Sequence, residues 1–177
     1  MKKLILPFTL LFLASGCFDS NDPGFDNTAD LEFLEQNAAK EGVIVTDSGL
    51  QYRILSENDN EENGEGEENG GEEENGEEEN GEEEARQPGP NDIVTVHYRG
   101  ELVDGTVFDS SIARGEPETF ELNRMIAGFS EGIQLMREGQ TFELVIPSNL
   151  GYGNRQIGII HPGATLIFEV QLIEIVD

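Results

Sequence analysis

The residues able to carry chemistry are few, and their spacing narrows what they can do. The chain holds one cysteine, Cys17, and two histidines, His97 and His161. No His-x-x-x-His or His-x-x-Glu spacing occurs, so no metal site is expected. No glycine-rich loop leads into a helical pattern, so no phosphate cradle is expected either. His97 falls on the strand face opposite Tyr98, a half-exposed position, and His161 lies in the turn sequence His161-Pro162-Gly163. Residues 88–177 contain no cysteine and no standard nucleophile–base set. A reaction carried there is therefore expected to need neither a nucleophile nor a cofactor. Tyr152, flanked by Gly151 and Gly153, reads as an exposed functional hydroxyl on a loop. Asp109, followed by Ser110 and Ser111, reads on residue type as a turn-former. Phe108, Phe129 and Phe168, taken singly, read as core.

The elements that must position these residues are mostly strands. In residues 93–98, Val94, Val96 and Tyr98 share a face; in 141–146, Phe142, Leu144 and Ile146 do; in 165–176, Leu166, Phe168, Val170 and Leu172 do. Asp104-Gly105 between apolar residues predicts a hairpin turn. Phe129, Ile133 and Met136 recur at helical spacing, with Ser130 as cap and Gly139 as terminator. Residues 50–54 alternate as a half-buried strand. Residues 28–41 are expected to form a helix capped by Thr28, with Leu31, Leu34 and Ala38 inward and Gly42 ending it. The expected class is α+β, an antiparallel sheet of about five strands wrapped over one short α-helix.

The ends of the chain carry other signals. Residues 1–16 begin Met1-Lys2-Lys3, continue in an apolar run, and close on Ala14-Ser15-Gly16 before Cys17. The run is shorter than the roughly 20 residues a spanning helix needs, so it reads as an export signal. The small residues before the cysteine resemble the lipobox of bacterial lipoproteins, in which the cysteine carries lipid. That resemblance implies cleavage before Cys17, a lipid-anchored tether over 17–27, and a cell-envelope location. Phe18 after the cysteine leans towards the outer membrane. An ordinary signal peptide with an incidental cysteine is the other reading. Residues 28–48 are the helix and lead-in, and 49–56 the first strand of the main domain. Residues 57–84 contain only Glu, Asp, Asn and Gly, repeating Glu-Glu-Glu-Asn-Gly from Glu72 with a period of five. They are expected to form the bulk of a disordered acidic insert over 57–87, since they offer nothing to bury. Their spacing does not fit a calcium-binding loop. A net charge of −27 argues against nucleic-acid binding and against electrostatic adhesion to anionic lipid.

Six motifs occur in order over residues 88–177. They are Val96-His97-Tyr98-Arg99-Gly100, the run Asp104-Gly105-Thr106-Val107-Phe108-Asp109-Ser110-Ser111, Ile126-Ala127-Gly128-Phe129, Met136-Arg137-Glu138-Gly139-Gln140, Leu150-Gly151-Tyr152-Gly153, and the run from Ile159-Ile160-His161-Pro162-Gly163 through Phe168. Together they resemble the FKBP-type peptidyl-prolyl isomerases. Ser48-Gly49-Leu50-Gln51-Tyr52 and its surroundings resemble the lead-in of the bacterial macrophage infectivity potentiator branch. The resemblance implies a pocket lined by Tyr98, Phe108, Asp109, Ile126, Phe129, Tyr152, Ile160 and Phe168. Tyr98, Phe108, Phe129 and Phe168 would box a proline ring. The Ile126 N–H and the Tyr152 hydroxyl would hold peptide carbonyls, and Asp109 would stand at the wall, oriented by Arg114. The implied partners are proline-containing polypeptides.

The sequence also departs from that family. Phe129 stands where tryptophan is usual, which implies a deeper pocket and altered proline affinity. Glu118 stands near the rim where an aromatic residue is common, which implies a changed peptide preference. The loop over 154–158 aligns ambiguously, so nothing carries over to Gln156 or Ile157. These departures leave open a non-catalytic peptide-binding module of the same fold. The helix near Leu31 is too short for a long dimerisation arm, so a monomer is expected.

Overall fold

The computed structural model describes residues 26–57 and 86–176. The expected export signal, Cys17 and nearly all of the acidic insert lie outside the described residues. Helix α1 (Thr28–Ala38) leads into β1 (Ile44–Val45) and β2 (Gln51–Ser56). After the insert come β3 (Ile93–Leu102), β4 (Val107–Ser110), the four-residue α2 (Ser111–Arg114) and β5 (Glu118–Glu121). Helix α3 (Ala127–Gln134), β6 (Thr141–Ile146) and β7 (Leu166–Val176) complete the chain.

All seven strands form one antiparallel sheet in the order β1-β2-β6-β7-β3-β4, with β5 pairing the first half of β3. The α+β class and the antiparallel sheet are as expected. Seven strands are present rather than about five because two-residue β1 and four-residue β5 are too short to show alternation. The long strands follow their patterns: Val94, Val96 and Tyr98 on β3 and Leu166, Phe168, Val170 and Leu172 on β7 are buried. On β7 the alternation then slips. Thr95 pairs Glu174 while Val96 pairs Leu172, so Ile173 is an extra residue, and Ile175 is buried beyond it.

Helix α3 lies across one face of the sheet and presents Gly128 and Gly132 to β6. A Cβ at Gly128 would stand 2.5 Å from Ile146 Cγ2, and one at Gly132 would collide with the Leu144 side chain. Glycine at i and i+4 therefore lets the helix backbone settle onto the strand. Ile133 and Met136 seal the contact, each with no exposed surface. The N-cap is Ile126 rather than Ser130, without a side-chain cap bond. Gly139 lies beyond the helix at φ +85° and donates its N–H to Leu172 O at 2.7 Å.

Helix α1 departs most from expectation. Its N-cap is Asn27, not Thr28, and it ends at Ala38, with Gly42 in the following turn at φ +78°. The predicted inward stripe is largely reversed: Leu31 is 58% exposed and Ala38 is exposed, only Leu34 is half-buried, and Asp30 and Asn37 are buried. Hydrogen bonds explain the reversal. Asp30 Oδ1 accepts from Thr165 N at 2.6 Å. Asn37 Nδ2 donates to Gln51 Oε1 at 2.8 Å, and Gln51 Nε2 donates to Leu34 O at 2.9 Å. The helix is fastened by polar groups that apolar periodicity cannot reveal. His161, in its turn, brings Nε2 to 3.5 Å from Asp30 Oδ2.

Candidate functional site

An open cavity of about 650 Å³ lies between the sheet, the N-terminal end of α3 and the loop over 152–160. Its floor and walls are aromatic. Phe168 and Phe129 lie with ring centroids 5.2 Å apart, Phe108 and Phe168 5.4 Å, and Tyr98 and Phe129 6.3 Å. Each of these pairs meets edge to face, as the ring quadrupoles favour. Gly100 makes the arrangement possible: a Cβ there would stand 2.6 Å from Phe108 Cζ and 2.8 Å from Phe168 Cε1. Tyr98 and Phe168 come from neighbouring β3 and β7, Phe108 from β4, and Phe129 from the first turn of α3.

The polar wall is a network centred on Tyr98. Its hydroxyl donates to Asp109 Oδ2 at 2.6 Å and accepts from Arg114 Nη2 at 3.0 Å. Arg114 Nη1 donates to Asp109 Oδ1 at 2.5 Å, and Nη2 also pairs with Glu118 Oε1. Local sequence builds this wall. Ser110 Oγ caps α2 by accepting from Ala113 N. Ser111 Oγ accepts from Tyr98 N at 2.8 Å and lies 3.2 Å from His97 Nδ1. The two serines thus supply the turn, and the Asp109 carboxylate is left for the network. Burial pushes the Tyr98 hydroxyl well above the usual phenol range, and its bond to Asp109 adds to this, so it remains a donor. Burial alone would raise the Asp109 carboxyl, but the Tyr98 hydroxyl and the Arg114 guanidinium outweigh it and hold it below its ordinary value.

Tyr98, Phe108, Asp109, Ile126, Phe129, Tyr152, Ile160 and Phe168 all line the cavity. Arg114 does not; it reaches the lining only through its hydrogen bonds to Asp109 and Tyr98 and its pair with Glu118. Ile126 is the extended N-cap residue of α3, at the helix's partially positive end. Among the described residues no side chain partners the Tyr152 hydroxyl.

Further lining residues escaped the sequence reading. Phe120 packs on Tyr98 at 5.8 Å and on Phe129 at 6.2 Å. It lies two residues from Glu118 on β5, and that same-face spacing was the available signal. Ile157, Gly158 and Ile159 form the tip of a tight turn closed by Ile157 N to Ile160 O at 3.0 Å and Ile160 N to Ile157 O at 2.9 Å. Gly158 at φ +56° permits the turn, and apolar residues on both sides of a glycine hinted at it.

Residues 84–173 match the model of the family described as FKBP-type peptidyl-prolyl cis-trans isomerase. Residues 26–54 match that of the domain amino-terminal to it. The FKBP-type 22 kDa peptidyl-prolyl cis-trans isomerase of Escherichia coli K12 is 44% identical over 146 residues, covering 82% of this chain and 59% of its own. The outer membrane protein MIP of Legionella longbeachae is 36% identical over 177 residues, covering 99% of this chain and 65% of its own. The crystal structure of FkpA from Escherichia coli superimposes with a TM-score of 0.67 at 30% identity, over 84% of this chain and 58% of that one. The chain therefore spans less than two thirds of the length of each of these relatives.

Proposed function

This chain belongs to the FKBP-type peptidyl-prolyl cis-trans isomerase family, and from that membership we propose that the protein catalyses rotation about the bond preceding proline in polypeptides. The observation that carries the proposal is the aromatic cavity closed on one side by a polar wall in which Tyr98 and Arg114 hold the Asp109 carboxylate. Tyr98, Phe108, Phe129 and Phe168 enclose the proline ring, with Phe120 extending the box. The Ile126 N–H and the Tyr152 hydroxyl hold carbonyls of the bound peptide, and Ile160 covers the ring from the loop. Asp109 keeps its charge at the wall because Arg114 and Tyr98 hold it there.

The chemistry asks little of the protein. The barrier, roughly 18–20 kcal/mol, is amide resonance, and unaided rotation takes tens to hundreds of seconds. The twisted amide is less dipolar than the planar one. A water-poor aromatic cavity therefore favours the twisted form over the ground state. No bond is made to the protein, and a thousandfold acceleration needs only about 4 kcal/mol. A protease-coupled assay on a proline tetrapeptide tests the reading. We expect a rate well above background that falls in Phe108→Ala and Tyr152→Phe. No rate above background, or variants indistinguishable from the wild type, would overturn it.

The same proposal places the protein in the cell envelope as a monomer, held to a membrane through lipid on Cys17 and assisting the folding of exported chains. Its support is Ala14-Ser15-Gly16-Cys17 at the end of the apolar run and the likeness to a relative named as an outer membrane protein. Cys17→Ser should move the protein from the membrane fraction to the soluble one. The acidic insert joins two described segments of one domain. Both of its flanks rest on the turn after α3: Gln140 Nε2 donates to Glu57 Oε2 at 2.7 Å, and Gln87 Nε2 to Leu135 O at 3.1 Å. Closing a long loop between such flanks costs little more than closing a short one.

A further inference from the structure

Resting on the isomerase reading, we propose that Glu118 makes the cavity rim a subsite for a basic side chain, so that the protein favours polypeptides with lysine or arginine beside the proline. Glu118 enters the cavity lining from β5, on the same strand face as Phe120. Its carboxylate pairs with Arg114 Nη2, and its other oxygen lies 3.4 Å from the Tyr98 hydroxyl. That hydroxyl has one proton, and the proton is committed to Asp109 at 2.6 Å. The same guanidinium also serves Asp109. Two carboxylates thus share one guanidinium, and the cluster keeps a net charge of −1.

No other cation of the lining corrects the imbalance. Arg124, the remaining basic residue there, is held by Glu121 at 2.9 Å. The Glu118 side chain is 36% exposed and lines the open cavity, so its carboxylate can be reached by a group arriving from solvent. An ammonium or guanidinium next to a proline seated on the aromatic floor meets that carboxylate. An acidic side chain in the same place meets Glu118 and Asp109 together. The overall charge of −27 acts in the same direction at longer range.

The test compares kcat/KM on proline peptides that differ only in the residue immediately before or immediately after the proline, which is Lys, Leu or Glu. Each is run with the wild type and with Glu118→Gln, at low salt and at about 1 M salt, where screening is nearly complete. Glutamine keeps the shape and an acceptor for Arg114. Any general loss from a disturbed Arg114 network lowers all peptides alike and cancels in the Lys-to-Glu ratio. At one flanking position we expect the wild-type ratio to exceed that of Glu118→Gln by about three- to tenfold, as for a partly exposed ion pair, and to shrink at high salt. Equal ratios in the two proteins, or a ratio indifferent to salt, would overturn the inference and leave the isomerase reading standing. No turnover of any peptide, Leu-Pro included, would overturn that reading and this one with it.

Discussion

Gly100→Ala isolates the part of the fold that shapes the cavity. Gly100 pairs with Phe168 on β7 and with Asp109 on β4. Its φ lies outside the left-handed region, so the backbone itself accepts alanine. The added Cβ would stand 2.6 Å from Phe108 and 2.8 Å from Phe168. Carbon atoms rest at about 3.5–4.0 Å, so one or both rings must retreat by about an ångström. Phe168 is 7% exposed and backed by Phe129 at 5.2 Å, so it has little room. Phe108 is half-buried at the edge of the cavity and is the ring that yields. Overpacking costs about 1–3 kcal/mol, and with one neighbour free to swing outward the loss should be near 1 kcal/mol. The loss of activity should be larger, because a displacement of about 1 Å at a reacting site can cost about a hundredfold. We expect urea unfolding to show a nearly wild-type protein and the isomerase assay a kcat/KM lowered roughly 30- to 100-fold. A folded variant with wild-type kcat/KM would refute the assignment of Phe108 and Phe168 as walls of the reaction site.

Three other outcomes follow from the same geometry. Gly132→Ala drives a methyl into Leu144 and should lift α3 from β6, costing about 1–3 kcal/mol in urea unfolding and raising KM, because Ile126 and Phe129 move with the helix. Asp30→Ala leaves the Thr165 N–H without its acceptor at a site only 2% exposed; it should cost about 1–3 kcal/mol, partly restored in Asp30→Asn, as measured by thermal unfolding. The Asp109 carboxyl is held below its ordinary value of 3.8, so its stabilising contribution is complete above that value and is lost as pH falls through the folded one. The difference in Tm between wild type and Asp109→Asn should thus stay level from pH 7 to about pH 5 and shrink below about pH 4; a difference that grows on acidification would contradict the pairing.

Much of this arrangement could be read from residue patterns, and the parts that could not share a physical cause. Long strands such as β3 and β6 bury one face each, so alternation exposes them. The aromatic box was visible only through the order of the six motifs, because a phenylalanine on a strand looks the same whether it faces core or cavity. Helix α1 misled because it docks through Asp30 and Asn37, and a buried polar group tied to a distant backbone leaves no periodic trace. Gly128 and Gly132 look like helix breakers until β6 is placed beneath them. Phe120 and Ile157 were hidden for a simpler reason. Each sits in an element of four residues or fewer, too short for a pattern to repeat.

An isomerase cavity must lower the rotation barrier rather than merely hold proline. Exchange spectroscopy on a Leu-Pro peptide, with the isotope-labelled protein at substoichiometric concentration, tests this most directly. We predict that the cis–trans exchange rate rises in proportion to protein concentration, while resonances of Tyr98, Phe108, Ile126, Tyr152 and Phe168 shift with the peptide. Shifts at those residues with exchange still at the uncatalysed rate would show a peptide-binding module rather than an isomerase.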